Sequence, residues 1–205
     1  MKKSKKLNKK IFYVLIIILI IILGRFIYKN VTKKSNIGNN MSSQEIVDSI
    51  LNINYYKTNI TVEFKSNKNK NKYIINQECS ENKNIQEVVE PTNIQGVRIV
   101  KENGNLKIEN TSLNLSQIFE NYKSLEENVL DLSCFVQNYK NYDKSNFEEN
   151  DTEIIMKTKN TNGNKYTENK MLYIDKQTKK PIKLVIQDNN QNTTIFIQYN
   201  EIELN

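Results

Sequence analysis

Short runs of alternating apolar and polar residues, separated by turns rich in Asn and Gly, constrain the fold of this chain most strongly. In the first run Ile60, Val62 and Phe64 alternate with polar neighbours. A polar turn follows, and Tyr73–Cys79 then continues with the same period of two. Because successive side chains of a strand point to opposite faces, this pattern predicts a hairpin with one buried face.

The same pattern recurs along the chain, so that roughly nine strands are predicted in all. Asn103 and Gly104 between two alternating runs are typical of a two-residue hairpin turn. Beyond the first hairpin, the predicted strands are 85–90, 97–101, 106–109, 152–158, 166–175, 182–187 and 193–201.

Three segments have apolar residues at helical spacing instead. Ser42 and Glu45 fit a capping box that begins a helix over 43–53. Two further helices are predicted over 116–125 and 129–142. The order of elements predicts an α+β fold, in which an antiparallel sheet carries helices on one face. Residues 42–205 are enough for one such domain.

The N-terminal segment predicts a membrane anchor. Residues 1–10 contain six lysines, and the largely apolar segment 11–28 would form a helix of roughly 27 Å, just long enough to cross a bilayer. A cleaved signal peptide is the alternative, but the run lacks the small residues of a cleavage site. We therefore expect a basic cytoplasmic tail (1–10), a transmembrane signal anchor (11–28), a linker (29–41) and an extracytoplasmic domain (42–205).

Composition excludes several kinds of function. The chain has no histidine, which removes His-based nucleophile pairs and HExxH zinc sites. Residues 1–34 hold ten basic residues and no acid, so the total of +7 leaves −3 on the rest of the chain. A mildly acidic body argues against a nucleic-acid-binding surface. Neither a catalytic constellation nor a cofactor motif is recognisable, and no metal motif is present.

Two weaker candidates have ordinary structural explanations. The acidic cluster of Glu148, Glu149, Asp151 and Glu153 lacks the spacing of a calcium loop and is interpreted as a solvated loop. Cys79 and Cys134 could form a disulfide if the domain is extracytoplasmic. Two small core residues are the alternative, because nothing in their spacing brings them together.

One loop stands out as a candidate partner-binding site. The stretch QEVVEPTNIQGVRI, residues 86–99, places Pro91 and Gly96 between two predicted strands. Pro91 cannot donate to a strand ladder, and Gly96 permits backbone conformations that other residues avoid. The candidate residues are Glu90, Pro91, Asn93, Ile94 and Gly96. Ile94 either folds into the core as a plug or stands out as an anchor for a partner.

The same stretch carries a family resemblance. Residues 86–97, together with Gly104–Thr111 and Leu113–Leu115, resemble the clostridial germination lipoprotein family GerS. The run from Tyr173 to Leu184 resembles the wider group of LolA-like lipoprotein carriers. This resemblance implies a curved antiparallel half-barrel whose concave face is covered by helices.

The resemblance also implies a role. GerS-like proteins are not enzymes; their implied partner is the N-acetylmuramoyl-L-alanine amidase CwlD, which starts muramic-δ-lactam formation in the spore cortex. Self-association into a homodimer is implied as well. This chain differs from the family pattern at Arg25, where the family has its lipid-bearing cysteine. The alternative function is that of a lipid or lipoprotein carrier of the cell envelope.

Overall fold

The folded part of the chain consists mainly of consecutive β-hairpins. The computed structural model describes residues 41–66, 68–122, 128–160 and 165–205. The predicted tail, the anchor and nearly all of the linker lie outside these residues. In the part that is described, no helix has the length and apolar character needed to span a bilayer.

The described residues contain two α-helices and eleven strands. The helices are α1 (Ser43–Leu51) and α2 (Leu132–Asn141). The strands are β1 (Tyr56–Lys65), β2 (Lys70–Ser80), β3 (Lys83–Glu90), β4 (Val97–Glu102), β5 (Asn105–Asn110), β6 (Leu115–Phe119), β7 (Asn146–Glu149), β8 (Glu153–Lys159), β9 (Asn169–Asp175), β10 (Pro181–Gln187) and β11 (Thr193–Leu204).

All eleven strands form one antiparallel sheet in the order β6-β5-β4-β3-β2-β1-β11-β10-β9-β8-β7. Neighbours in the sheet are neighbours in the sequence, except where β1 pairs with β11. That pairing runs from Tyr56 opposite Leu204 to Phe64 opposite Ile195, with one irregularity at Asn59/Ile60. The sheet is open, and β6 and β7 are its two edge strands.

The core lies between one face of the sheet and the two helices, and we call this face the inner face. Strands β8 to β11 alternate buried and partly exposed residues, as the sequence pattern predicts. Helix α1 buries Ile46, Val47 and Ile50, and helix α2 packs on β8. Each fully buried aliphatic side chain contributes roughly 1.5–3 kcal/mol, so this apolar layer is the main source of stability.

One predicted helix is wrong. Residues 115–119, at the start of the helix predicted over 116–125, form strand β6, in which all five residues are exposed. Ile118, Phe119 and Tyr122 have helical spacing, but Phe119 pairs with Leu106 of β5. Sheet pairing thus overrides the local pattern. The other predicted helices exist over shorter ranges, as α1 and α2.

The acidic cluster is largely exposed, as the sequence suggested, but of its four residues only Asp151 lies in a loop. Glu148 and Glu149 lie on β7, a strand missed in the sequence. Their carboxylates lie 2.7 Å from Lys157 Nζ and 2.7 Å from Lys176 Nζ, respectively. No three acidic or thiol side chains within the described ranges are placed to hold a metal ion. These ion pairs join β7 to β8 through Lys157 and to the residue after β9 through Lys176.

A buried carboxylate joins helix α2 to the sheet. Asp131 precedes the helix but does not cap it with its side chain. Instead, its two carboxylate oxygens accept hydrogen bonds of 2.6 Å from Asn84 Nδ2 and Gln86 Nε2 of β3. Burial raises the pKa of Asp131 to about 6, although both amide donors and Lys101 act in the opposite direction.

This raised pKa predicts a pH-dependent stability. The folded state holds the Asp131 proton more tightly than the unfolded state, so the contribution is complete below pH 4 and is lost as pH rises through about 6. Relative to Asp131→Asn, the wild type should lose about 3 kcal/mol of unfolding free energy across this range. Urea denaturation of both proteins at several pH values measures it. A difference that stays constant with pH would contradict the buried site.

Candidate partner-binding surface

The predicted partner-binding loop forms a short, hydrogen-bonded corner between β3 and β4. A 3-10 helix spans Thr92–Ile94, and Ile94 N donates to Pro91 O over 3.1 Å. The Glu90–Pro91 peptide bond is cis. Glu90, Pro91 and Asn93 are exposed, whereas Ile94 is half-buried and so belongs neither to the core nor to the exposed apolar residues. Partner binding by this loop stays a prediction.

Gly96 fastens the loop to its surroundings. Its N–H donates to Val88 O at 3.0 Å, and its carbonyl accepts from Thr111 N at 3.0 Å and Thr111 Oγ1 at 3.2 Å. Its φ of +79° lies in the left-handed region, and an added Cβ would lie 2.8 Å from both Thr111 Oγ1 and Ser112 Oγ. Only glycine meets both requirements without strain.

The turn that Gly96 contacts leads into an exposed apolar surface that the sequence did not reveal. We define the inner-face patch by four side chains on β4, β5 and β6. Their exposed fractions are 37% for Ile99, 39% for Ile108, 62% for Leu115 and 44% for Phe119.

The strand register shows that the patch continues the inner face. Gln86 lies opposite Ile99, and Ile99 lies opposite Ile108. Because residues opposite each other share a face, both isoleucines lie on the side where Gln86 donates to Asp131. Leu106 and Asn110 share the face of Ile108, because they lie two positions from it on β5. Phe119 lies opposite Leu106 and Leu115 lies opposite Asn110, so both are on the inner face as well. The patch therefore extends the face that α1 and α2 cover elsewhere.

The outer face of the same strands carries a group of ion pairs beside the apolar Val100 and Ile118. Arg98 Nη1 lies 3.0 Å from Glu109 Oε1, and Lys107 pairs with the same carboxylate. Lys107 and then Arg98 lower the pKa of Glu109, because both cations favour its charged form. An exposed apolar patch on the inner face and ion pairs on the outer face distinguish the two sides of β4 to β6.

Exposed apolar side chains grouped in this way are typical of an interface. Monomeric soluble proteins rarely expose a large contiguous apolar patch. Strand β6 also lies at the sheet edge, with no described strand on its outer side, and an edge of this kind can accept a further strand. In the sequence, Leu113, Leu115 and Phe119 fit the period of two that is typical of a strand. The helical spacing of Ile118, Phe119 and Tyr122 obscured this pattern.

The two thiols are not joined in this structure. Both cysteines are free. Cys79 Sγ lies 3.8 Å from Ser133 Oγ, whereas Cys134 Sγ lies 3.4 Å from the ammonium of the buried Lys170. Burial raises the pKa of Cys79, which disfavours its thiolate. Cys134 is buried and Cys79 is half-buried.

Comparison with solved structures finds similar chains. A chain of the CwlD amidase–GerS lipoprotein complex from Clostridioides difficile matches with a TM-score of 0.51 and 21% identity, over 81% of this chain and 98% of that chain. An uncharacterized conserved protein from Thermus thermophilus matches with a TM-score of 0.48 and 12% identity, over 80% and 88% of the two chains. A LolA superfamily protein from Nitrosomonas europaea matches with a TM-score of 0.41 and 11% identity, over 80% of this chain and 94% of that chain.

An open antiparallel sheet with two helices on its inner face therefore defines a GerS-type fold. The model of the YdcC-like sporulation protein family matches residues 9–205, and the chain belongs to this family. A search of curated proteins finds no match.

The geometry at Gly96 predicts a difference between two glycine substitutions. Gly96→Ala should destabilise the domain by about 2–3 kcal/mol, because a positive φ and two close hydroxyl contacts act together. Gly104→Ala is the matched control: its φ is +78°, but no atom lies within 4 Å of an added Cβ. It should cost only about 1 kcal/mol. Thermal or urea unfolding measures the stability of both variants. Equal losses of stability would show that the hydroxyls of Thr111 and Ser112 can move aside at no cost.

Proposed function

We propose that this protein is a non-catalytic, membrane-anchored sporulation protein that binds and activates a cell-wall amidase of the CwlD type. Binding would support muramic-δ-lactam formation in the spore cortex. The observation that carries the proposal is the exposed inner-face patch on β4 to β6, in a chain of a sporulation family. The match to a GerS-type chain that was solved together with an amidase supports the choice of partner.

The patch has the chemistry of a protein interface. Two isoleucines, a leucine and a phenylalanine would form the apolar centre of a binding surface, from which water is excluded on binding. The loop with the half-buried Ile94 adjoins it through the hydrogen bonds between Gly96 and Thr111. We propose that the loop and the patch contact the amidase together.

The anchor and the sheet curvature complete the proposal. Segment 11–28 would hold the domain at the outer side of a membrane, as its length and flanking lysines favour. We also propose that the sheet curves into a half-barrel with the helices on its concave side, as the resemblance to GerS implies. A homodimer would compete for the same edge strand.

A lipid carrier is the second candidate, because an exposed apolar face could also hold acyl chains. A membrane anchor argues against it, since a carrier must move between membranes. Mass spectrometry of the protein purified without added lipid tests this candidate. Acyl chains bound to the wild type but absent from Leu115→Ser/Phe119→Ser would favour a carrier.

The amidase proposal predicts an asymmetric response of the two faces of β6. Leu115→Ser/Phe119→Ser should weaken binding to the same organism's amidase at least about tenfold, because it removes the apolar centre of the interface. Ile118→Ser is the matched control, since Ile118 is 55% exposed but lies on the opposite face of the strand. Isothermal titration of the full-length protein in detergent measures both affinities.

Three outcomes would contradict the proposal: absence of a complex at micromolar concentration, full amidase activity without this protein, or equal losses for the two β6 variants. Ile94→Asp tests the loop separately. Weaker binding with unchanged unfolding supports the anchor role, whereas loss of folding supports the plug. Light scattering of each variant detects a homodimer that occupies the same edge.

A further inference from the structure

A second surface lies where β1 and β10 end and β9 and β11 begin. Three segments that are far apart in the sequence meet there: the β1–β2 hairpin, residues 165–167 and the turn between β10 and β11. They line an open cleft of about 1070 Å³, slightly more than the usual volume of a small-ligand site. The cleft shares no residue with the inner-face patch.

The cleft is basic, although residues 35–205 together have a net negative charge. Its titratable lining comprises Lys65, Lys68, Lys165, Tyr166 and Asp188. Among the described residues, Lys68 and Lys165 have no acidic group within ion-pair distance, and both side chains are exposed. Folding thus brings together cations that lie about one hundred positions apart, and their charges are available to an anion.

The single acid of the cleft is already engaged. One carboxylate oxygen of Asp188 accepts from the backbone N–H groups of Asn190 and Asn192 at 2.9 and 2.8 Å, and the other accepts from Asn192 Nδ2 at 3.0 Å. These bonds lower the pKa of Asp188, the Asn192 side-chain amide most strongly. The carboxylate shapes the turn and does not form an ion pair with the lysines.

A large exposed ring and several amides complete the lining. Tyr166 is 57% exposed, and Lys165 Nζ lies 5.1 Å from its ring centroid. The backbone that carries the ring is fixed, because Thr194 Oγ1 donates to Tyr166 O over 2.6 Å and Asn189 N donates to Lys165 O over 3.0 Å. Side-chain amides come from Asn69, Asn71, Asn189, Asn190 and Asn192.

We propose that this cleft binds a carboxylate-bearing glycan of the peptidoglycan type. The lysines pair with its carboxylates, the asparagine amides pair with hydroxyl and N-acetyl groups, and Tyr166 stacks on the apolar face of a sugar ring. A nucleic acid fits less well, since single strands bind on several aromatic rings and this cleft has one exposed ring. The inference needs no amidase partner.

The test is co-sedimentation of the full-length protein, in detergent, with purified cell-wall sacculi stripped of teichoic acid. Wild type should bind and should be released by salt. Lys68→Ala/Lys165→Ala should weaken binding at least about tenfold and Tyr166→Ala about fivefold. Lys57→Ala/Lys180→Ala is the matched control: it removes the same charge from exposed lysines at the opposite end of the sheet, and binding should not change.

Further arms distinguish the source of the anion. Sacculi whose carboxylates have been amidated, and uncharged chitin, should both bind at least about tenfold more weakly. Absence of binding to sacculi, equal loss in the control and cleft variants, or undiminished binding to amidated sacculi would overturn the proposal. So would stronger displacement by poly-glutamate than by soluble glycan fragments, which would indicate an acidic peptide. Since no amidase is present, failure here leaves the proposed function unaffected.

Discussion

The pairing of the first strand with the last holds the whole sheet together. Every other pairing joins strands that follow each other in the chain, so the remaining contacts define two separate meanders, β1 to β6 and β7 to β11. The β1–β11 ladder closes a loop of nearly the whole domain, which is the most costly contact in chain entropy. It makes β1 and β11 central strands, and their inner faces can then be buried.

The helices follow from this arrangement, and so do both candidate surfaces. Helix α2 packs on β8, and Asp131 directly before it is held to β3 by two amide donors. The inner face continues past the helices onto β4 to β6, where its apolar side chains are exposed. The cleft also depends on the central ladder, because β1 and β11 carry the two sides of its lining next to each other.

The alternation of apolar and polar residues predicted the strands that are paired on both sides, but it did not predict the two edge strands, β6 and β7. A strand paired on both sides, such as β8 with its buried Ile154, Met156 and Thr158, carries its alternation in the sequence because one face must be buried. Edge strands lack that constraint. In β6 all residues are exposed, so its apolar residues could take helical spacing, and β7 has only four residues, two of them glutamates. The basic cleft could not be predicted, because Lys68 and Lys165 meet only after folding.

The sequence by itself determined the α+β class, the order of most elements, the absence of histidine-based chemistry and the break between two strands at Pro91–Gly96. These depend on side-chain period, composition and local backbone preference, all of which act over a few residues. Tertiary structure alone decided which apolar residues are left exposed, which lysines share a cleft and which face of the sheet holds Asp131. Each of these depends on strand partners far apart in the chain, and no local pattern records them.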